Sequence, residues 1–221
     1  MRLEHLVCFA LTLAGCADST QFSEGVVGVW RLEDSALVFG SFRTDPGDCE
    51  SVRVGSCERI GACRSRLAVV SAGTMSVERA GAEVDVSEPN ADGLYLAPID
   101  DGGSAGDAWR VRFAGAEVEP LDLSATMPAP VTALAAERPG DIRLQWDPPA
   151  GVDSVVVDIS SPSDASIELQ CQLGGGATGV VVDATLLEGA SNLSASVTAY
   201  AEDREGAVVL RVGEPARVAI P

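Results

Sequence analysis

The chain has 221 residues, with 15 basic against 33 acidic side chains and a formal charge of −18, a balance that repels phosphate backbones and argues against a nucleic-acid partner. Its basic residues are all Arg and its only histidine is His5. Without histidine or lysine in the body of the chain, Ser-His-Asp and Cys-His arrangements, histidine zinc sites, a Walker lysine and a Schiff-base lysine all lack their essential residue. A hydrophobic content of 46% nevertheless supplies enough apolar surface for a folded core.

In chain order, the first feature is an apolar run over 6–15 that follows Arg2 and ends in small residues before Cys16. At about 10 residues it is half the length that a membrane span requires, and its layout is that of a secretory leader. Residues Leu13, Ala14, Gly15 and Cys16 resemble the lipobox of bacterial lipoproteins. That resemblance implies cleavage before Cys16, acylation of its thiol and of the new amino terminus, and a stable anchor without a spanning helix. The membrane is then a partner through Cys16, and the expected location is the cell envelope, on the outer membrane, facing the periplasm or the surface. Loss of 1–15 removes Arg2, Glu4 and His5, which leaves the charge at −18. The segment 16–24 reads as a short lipidated tether.

From residue 25 the pattern is one of short strands separated by turn residues, at 25–32, 36–43, 66–71, 74–79, 83–86, 93–98, 108–113 and 121–124. No amphipathic helix is expected. The fold class is therefore all-β, with two antiparallel sandwich or barrel modules following the leader. The first module is expected over 25–126, a proline linker over 127–130, and the second module over 131–221, because Pro128 and Pro130 cannot continue a central strand.

Cysteines 49, 57 and 63 form an insert spaced C-x7-C-x5-C, without the paired CxxC knuckles of a zinc ribbon. With Cys171 they make four disulfide candidates in an exported chain: Cys49, Cys57, Cys63 and Cys171. Four cysteines allow three pairings. One bridge inside 49–63 is favoured, and linkage to Cys171 is open. Asn90, Asp92, Asp100, Asp101 and Asp107 lack the alternate spacing of a calcium loop and read as turn residues. No metal and no cofactor is expected.

In the second half, Ile142, Leu144 and Trp146 share one face by period two, as do Val155, Val157 and Ile159, and then Ile167, Leu169 and Cys171. Gly174 to Gly179 match the spacing GxGxxG, but Val180, Val181 and Val182 continue as a strand rather than a helix, so a dinucleotide loop is rejected. The opening proline, the Trp-Asp-Pro-Pro strand end at 146–149 and the valine-rich third strand resemble the fibronectin type III sandwich over 129–221. The family's corner tyrosine is replaced by Leu193. The whole layout is similar to lipoproteins abundant in myxobacteria and related deltaproteobacteria, a resemblance that brings no activity with it.

Trp30, Trp109 and Trp146 are the natural candidates for a recognition surface, although the core is expected for each: Trp146 alternates with Ile142 and Leu144, while Trp109 lies where either face is open to it. No catalytic residue is assigned. The reading is a non-catalytic envelope protein that binds or supports another component, with an envelope protein or a glycan as partner. The alternative is a carbohydrate-binding module or a carboxylate-dependent glycan hydrolase, since two carboxylates suffice for that chemistry. A redox role for the cysteine insert requires a low-pKa thiolate near positive charge, which Arg53, Arg59 and Arg64 could supply.

Overall fold

The computed structural model describes residues 24–44, 49–63, 69–90, 93–147, 149–161, 164–187 and 190–221, with the backbone alone at 49, 60–63 and 164–168. The leader, Cys16 and the tether up to residue 23 lie outside the described residues, as does half of the strand expected at 66–71.

The first half of the chain forms β1 (Glu24–Leu32), β2 (Ser35–Arg43), β3 (Cys49–Val54), β4 (Cys57–Cys63), β5 (Met75–Arg79), β6 (Ala82–Ser87), β7 (Tyr95–Ile99), β8 (Ala108–Phe113) and β9 (Leu121–Thr126). The second half forms β10 (Thr132–Glu137), β11 (Ile142–Asp147), β12 (Ser154–Ser161), β13 (Asp164–Gly174), β14 (Gly179–Val182), a 3-10 turn (Ala184–Leu187), β15 (Ser194–Glu205) and β16 (Val208–Ala219). Period-two alternation accounts for most of these strands. In β2, Ala36, Val38 and Phe42 are buried while their neighbours are not, and β11 buries Ile142, Leu144 and Trp146 in the same way. The β5–β6 hairpin turns on Ala80 and Gly81, both at positive φ (50° and 86°), the signature of a tight two-residue turn.

Among the described residues three sheets result, none of them closed into a barrel. A four-stranded sheet has the order β6-β5-β8-β9 and a three-stranded sheet the order β10-β11-β14. The third has nine strands, in the order β3-β4-β13-β12-β15-β16-β1-β2-β7. Each small sheet lies over one part of the large one. Val27, Val29, Val38, Phe42 and Tyr95 of the large sheet meet Met75, Trp109, Val111 and Leu123 in a first core. Val155, Val157, Leu169 and Val197 meet Ile142, Leu144 and Trp146 in a second. Strands β10-β11-β14 over β13-β12-β15-β16 form an antiparallel β-sandwich.

The two cores share strands from both halves of the chain. The hairpin β15–β16 turns at Gly206, with φ +59°, and its strands are 12 residues each. Near that turn Val208, Leu210 and Val212 are buried in the first core, whereas toward the other end Ala216 and Val218 pack against the second. Strand β16 runs parallel to β1, in register from Gly25 opposite Val208 to Trp30 opposite Gly213. It is the parallel pair in an otherwise antiparallel set, and Arg31 reinforces it with an ion pair to Glu214 at 2.7 Å. Strand β9 meets the same hairpin: the amide of Ser124 donates to Asp203 at 2.8 Å and that of Asp122 to Glu205 at 3.3 Å.

The exchange also runs the other way. Hairpin β3–β4, from the first half of the sequence, adds to β13 of the second, with Cys57 opposite Cys171. These two cysteines form a disulfide across 114 residues of sequence, and both are buried in the second core. The bridge left open by the sequence is therefore Cys57–Cys171. The register of β3 and β4 sets Cys49 opposite Cys63; their side chains lie outside the described residues. Between the halves, Met127 is 1% exposed in the first core and Val131 is 6% exposed in the second, so the proline segment is pinned at each end.

Candidate functional site: a groove across the shared sheet

One face of the nine-stranded sheet is packed by the two smaller sheets. The other carries a groove of about 810 Å³ lined by side chains of β1, β2, β12, β13, β15 and β16. Because these strands come from both halves of the chain, the groove exists only where the halves share the sheet.

Two cross-strand rows build its floor. In the first, Trp30 lies opposite Gly213, which lies opposite Tyr200, which lies opposite Ser154. Gly213 has no side chain to separate its neighbours, so the Trp30 indole reaches across it and Nε1–H donates to the Tyr200 hydroxyl at 2.9 Å. A methyl group at Gly213 would sit 2.5 Å from the Ala199 carbonyl oxygen and 3.0 Å from the Tyr200 ring. In the second row, Phe39 lies opposite Gly28, then come Arg211 and Glu202. The Phe39 ring occupies the space that a Cβ at Gly28 would take, and its centroid is 4.5 Å from that of Trp30. Glycine on an aromatic row is thus what lets three rings lie along the sheet surface.

The charged and polar groups are held by one another. Arg211 stands over the Tyr200 ring at 5.9 Å and donates to Glu202 at 3.0 Å. Glu202 also accepts from Ser154 at 2.6 Å and from Arg204 at 2.7 Å. Burial opposes ionisation of Glu202, but these hydrogen bonds and the Arg211 charge outweigh it and hold the carboxyl below its ordinary 4.5. Its stabilisation is therefore fully present above pH 4.5 and is lost as the pH falls through the lower folded value. We expect Glu202→Gln to flatten that acid limb in melts recorded from pH 3 to pH 7. The Tyr200 phenol is pushed up by burial. On the far side of the groove Gln172 donates to Gln170 at 3.1 Å, and Gln170 donates to Asp158 at 2.9 Å, a continuous amide-to-carboxylate ladder.

The three tryptophans separate cleanly. Trp109 is 0% exposed and Trp146 is 4% exposed, each in a different core. Trp30 is 37% exposed, which corrects the expectation that all three are buried. Val27 and Val29 take the core-facing positions of β1, and Trp30, one residue out of phase, falls on the groove face. We expect Gly213→Ala to cost about 1–3 kcal/mol through overpacking and to red-shift Trp30 emission by separating it from Tyr200.

Of the turn residues singled out in the sequence, Asn90, Asp101 and Asp107 have structural partners, and Asp92 lies outside the described residues, as does Arg64 of the cysteine insert. Asp101 accepts from the Gly103 amide at 2.9 Å and Asp107 from the Ser104 amide at 2.9 Å. Asn90 accepts from the Leu94 amide, also at 2.9 Å. The glycines at 174–179 close the β13–β14 connection, and Gly179 opens a strand. Among the described residues no group of three or more His, Cys, Asp or Glu side chains could hold a metal ion.

No protein-family profile matches the chain, and no curated protein does. Among solved structures, a two-domain fibronectin type III segment of chicken tenascin matches over 79% of this chain and 98% of that one, at 14% identity and a TM-score of 0.29. A likeness at that level carries nothing about function, and the all-β sandwich assignment rests on the strand order and the two cores.

Proposed function

We propose that the chain is a lipid-anchored protein of the bacterial cell envelope that binds another envelope component without transforming it, through the groove on its shared sheet. The observation that carries the binding role is the half-exposed Trp30, fixed by Tyr200 and backed by Phe39 in an open groove. A large aromatic held in place and left partly in water is the kind of group that dominates recognition. The anchor rests on Leu13 to Cys16 and the apolar run before them. The non-catalytic reading is supported by a chain body without histidine or lysine.

Two measurements test this, one on the detergent-solubilised protein and one in intact cells. The native chain should partition into the detergent phase of Triton X-114 and Cys16→Ser into the aqueous phase; equal partition of the two overturns the anchor. A photo-crosslinking residue at Gln172, in the groove, should give adducts in intact cells that one at Val181, exposed on the opposite small sheet, does not. Equal labelling from both positions overturns the groove as the binding surface.

A further inference from the structure

The groove's chemistry narrows the class of ligand. Resting on the reading that this groove is the binding surface, we propose that its occupant is an uncharged oligosaccharide, with a sugar ring stacked at Trp30 and hydroxyls met by the Gln172–Gln170–Asp158 ladder.

Charge is the first argument. Among the groove residues, Glu24 and Asp158 are balanced by Arg43 and Arg211, so the site is locally neutral on a chain of −18. A polyanion would gain nothing from the site and would be repelled by the rest of the surface. A cationic ligand finds no net negative charge in the lining either, since its two carboxylates are matched in number by two arginines. A neutral ligand meets neither obstacle.

The backbone also disfavours a peptide. An extended peptide gains most of its affinity by adding a strand to an open sheet edge. The strands under this groove, from β13 to β2, are all interior members of the sheet, so their main-chain groups are already paired. Only side chains remain to do the binding.

Those side chains suit a pyranose. Such a ring has an apolar C–H face and a rim of hydroxyls that both donate and accept, which calls for an aromatic surface beside amides and hydroxyls. Trp30, with the Phe39 ring beside it, provides the surface, the buried Tyr200 holds Trp30 in place, and Gln170, Gln172, Ser41 and Ser160 surround it. The ladder of hydrogen bonds fixes the amides before a ligand arrives, which lowers the entropic cost of binding. From β13 to β2 the groove crosses five strand spacings, about 24 Å at ~4.8 Å each, the span of a short oligosaccharide rather than of one sugar.

The test uses the detergent-solubilised full chain and an array of neutral gluco-, chito-, xylo- and manno-oligosaccharides, with tetragalacturonate as the anionic comparison. At least one neutral member should bind and shield Trp30 from acrylamide quenching, a readout favoured by the burial of Trp109 and Trp146. Trp30→Ala should weaken that binding roughly tenfold or more, and Gln172→Ala, at an exposed position that leaves the fold intact, by several-fold. No binding to any neutral member, or preference for tetragalacturonate, overturns the proposal. If that happens while the residue at Gln172 still crosslinks a protein in cells, the groove remains a binding surface and only the ligand class falls. If crosslinking also fails, the groove reading falls with it.

Discussion

Leu210→Ala is expected to destabilise the protein by about 2–5 kcal/mol, the usual cost of removing a fully buried leucine, and to do so for both cores together. Leu210 belongs by sequence to the second half of the chain, but its side chain is 0% exposed in the first core. It is carried there by the hairpin β15–β16, whose other end packs with the second core. Loosening that hairpin withdraws β16 from β1 and at the same time breaks up the groove face that spans the join. Chemical denaturation should show a lower midpoint for one transition, with its slope little changed. A new intermediate with the second core intact would show that the hairpin's two ends fold separately.

The second large effect is expected from the Cys57–Cys171 bridge. It ties hairpin β3–β4 to β13 across 114 residues, and closing a loop of that order restricts the unfolded chain by up to about 5 kcal/mol on the chain-entropy model. Observed losses on removing a native bridge run at about 2–5 kcal/mol. The Cys57→Ala/Cys171→Ala double variant should fall in that range and should lose protection of the β3–β4 amides in hydrogen exchange. Both sulfurs are buried, so mild reductant should leave the native bridge intact. Ready reduction under native conditions would instead favour a redox role for the insert.

Strand identity was largely legible in the sequence. Alternation in 36–43 and 142–146 and the turn residues between runs are local signals, and the structure places strands there. Pairing was not legible. Strand β16 carries an ordinary apolar run, but nothing local announces that Val208 lies opposite Gly25, nearly the whole chain away. The same holds for Cys57, whose partner is the most distant of the candidates, because disulfide pairing follows the tertiary fold and spacing does not encode it.

The groove was hidden for a related reason. Valines occupy both faces of β1, with Val26 outward and Val27 and Val29 inward, so the phase of Trp30 was ambiguous. The contact between Trp30 and Tyr200 requires knowing that Gly213 lies between them, a register across three strands. In hindsight, glycines at 28 and 213 inside apolar strands were the readable hint, since glycine within a strand marks a close approach by something else.

The two halves interlock in one nine-stranded sheet that carries the groove, and they are expected to unfold as one unit. Trp109 and Trp146 report on it directly, being buried in the first and second cores respectively. The decisive measurement is urea unfolding followed site by site, with each of these tryptophans in turn labelled by 5-fluorotryptophan and observed by fluorine NMR. Coincident midpoints and slopes at the two positions are the predicted result. Separated transitions, with either tryptophan retaining its native signal after the other has lost it, would contradict the account.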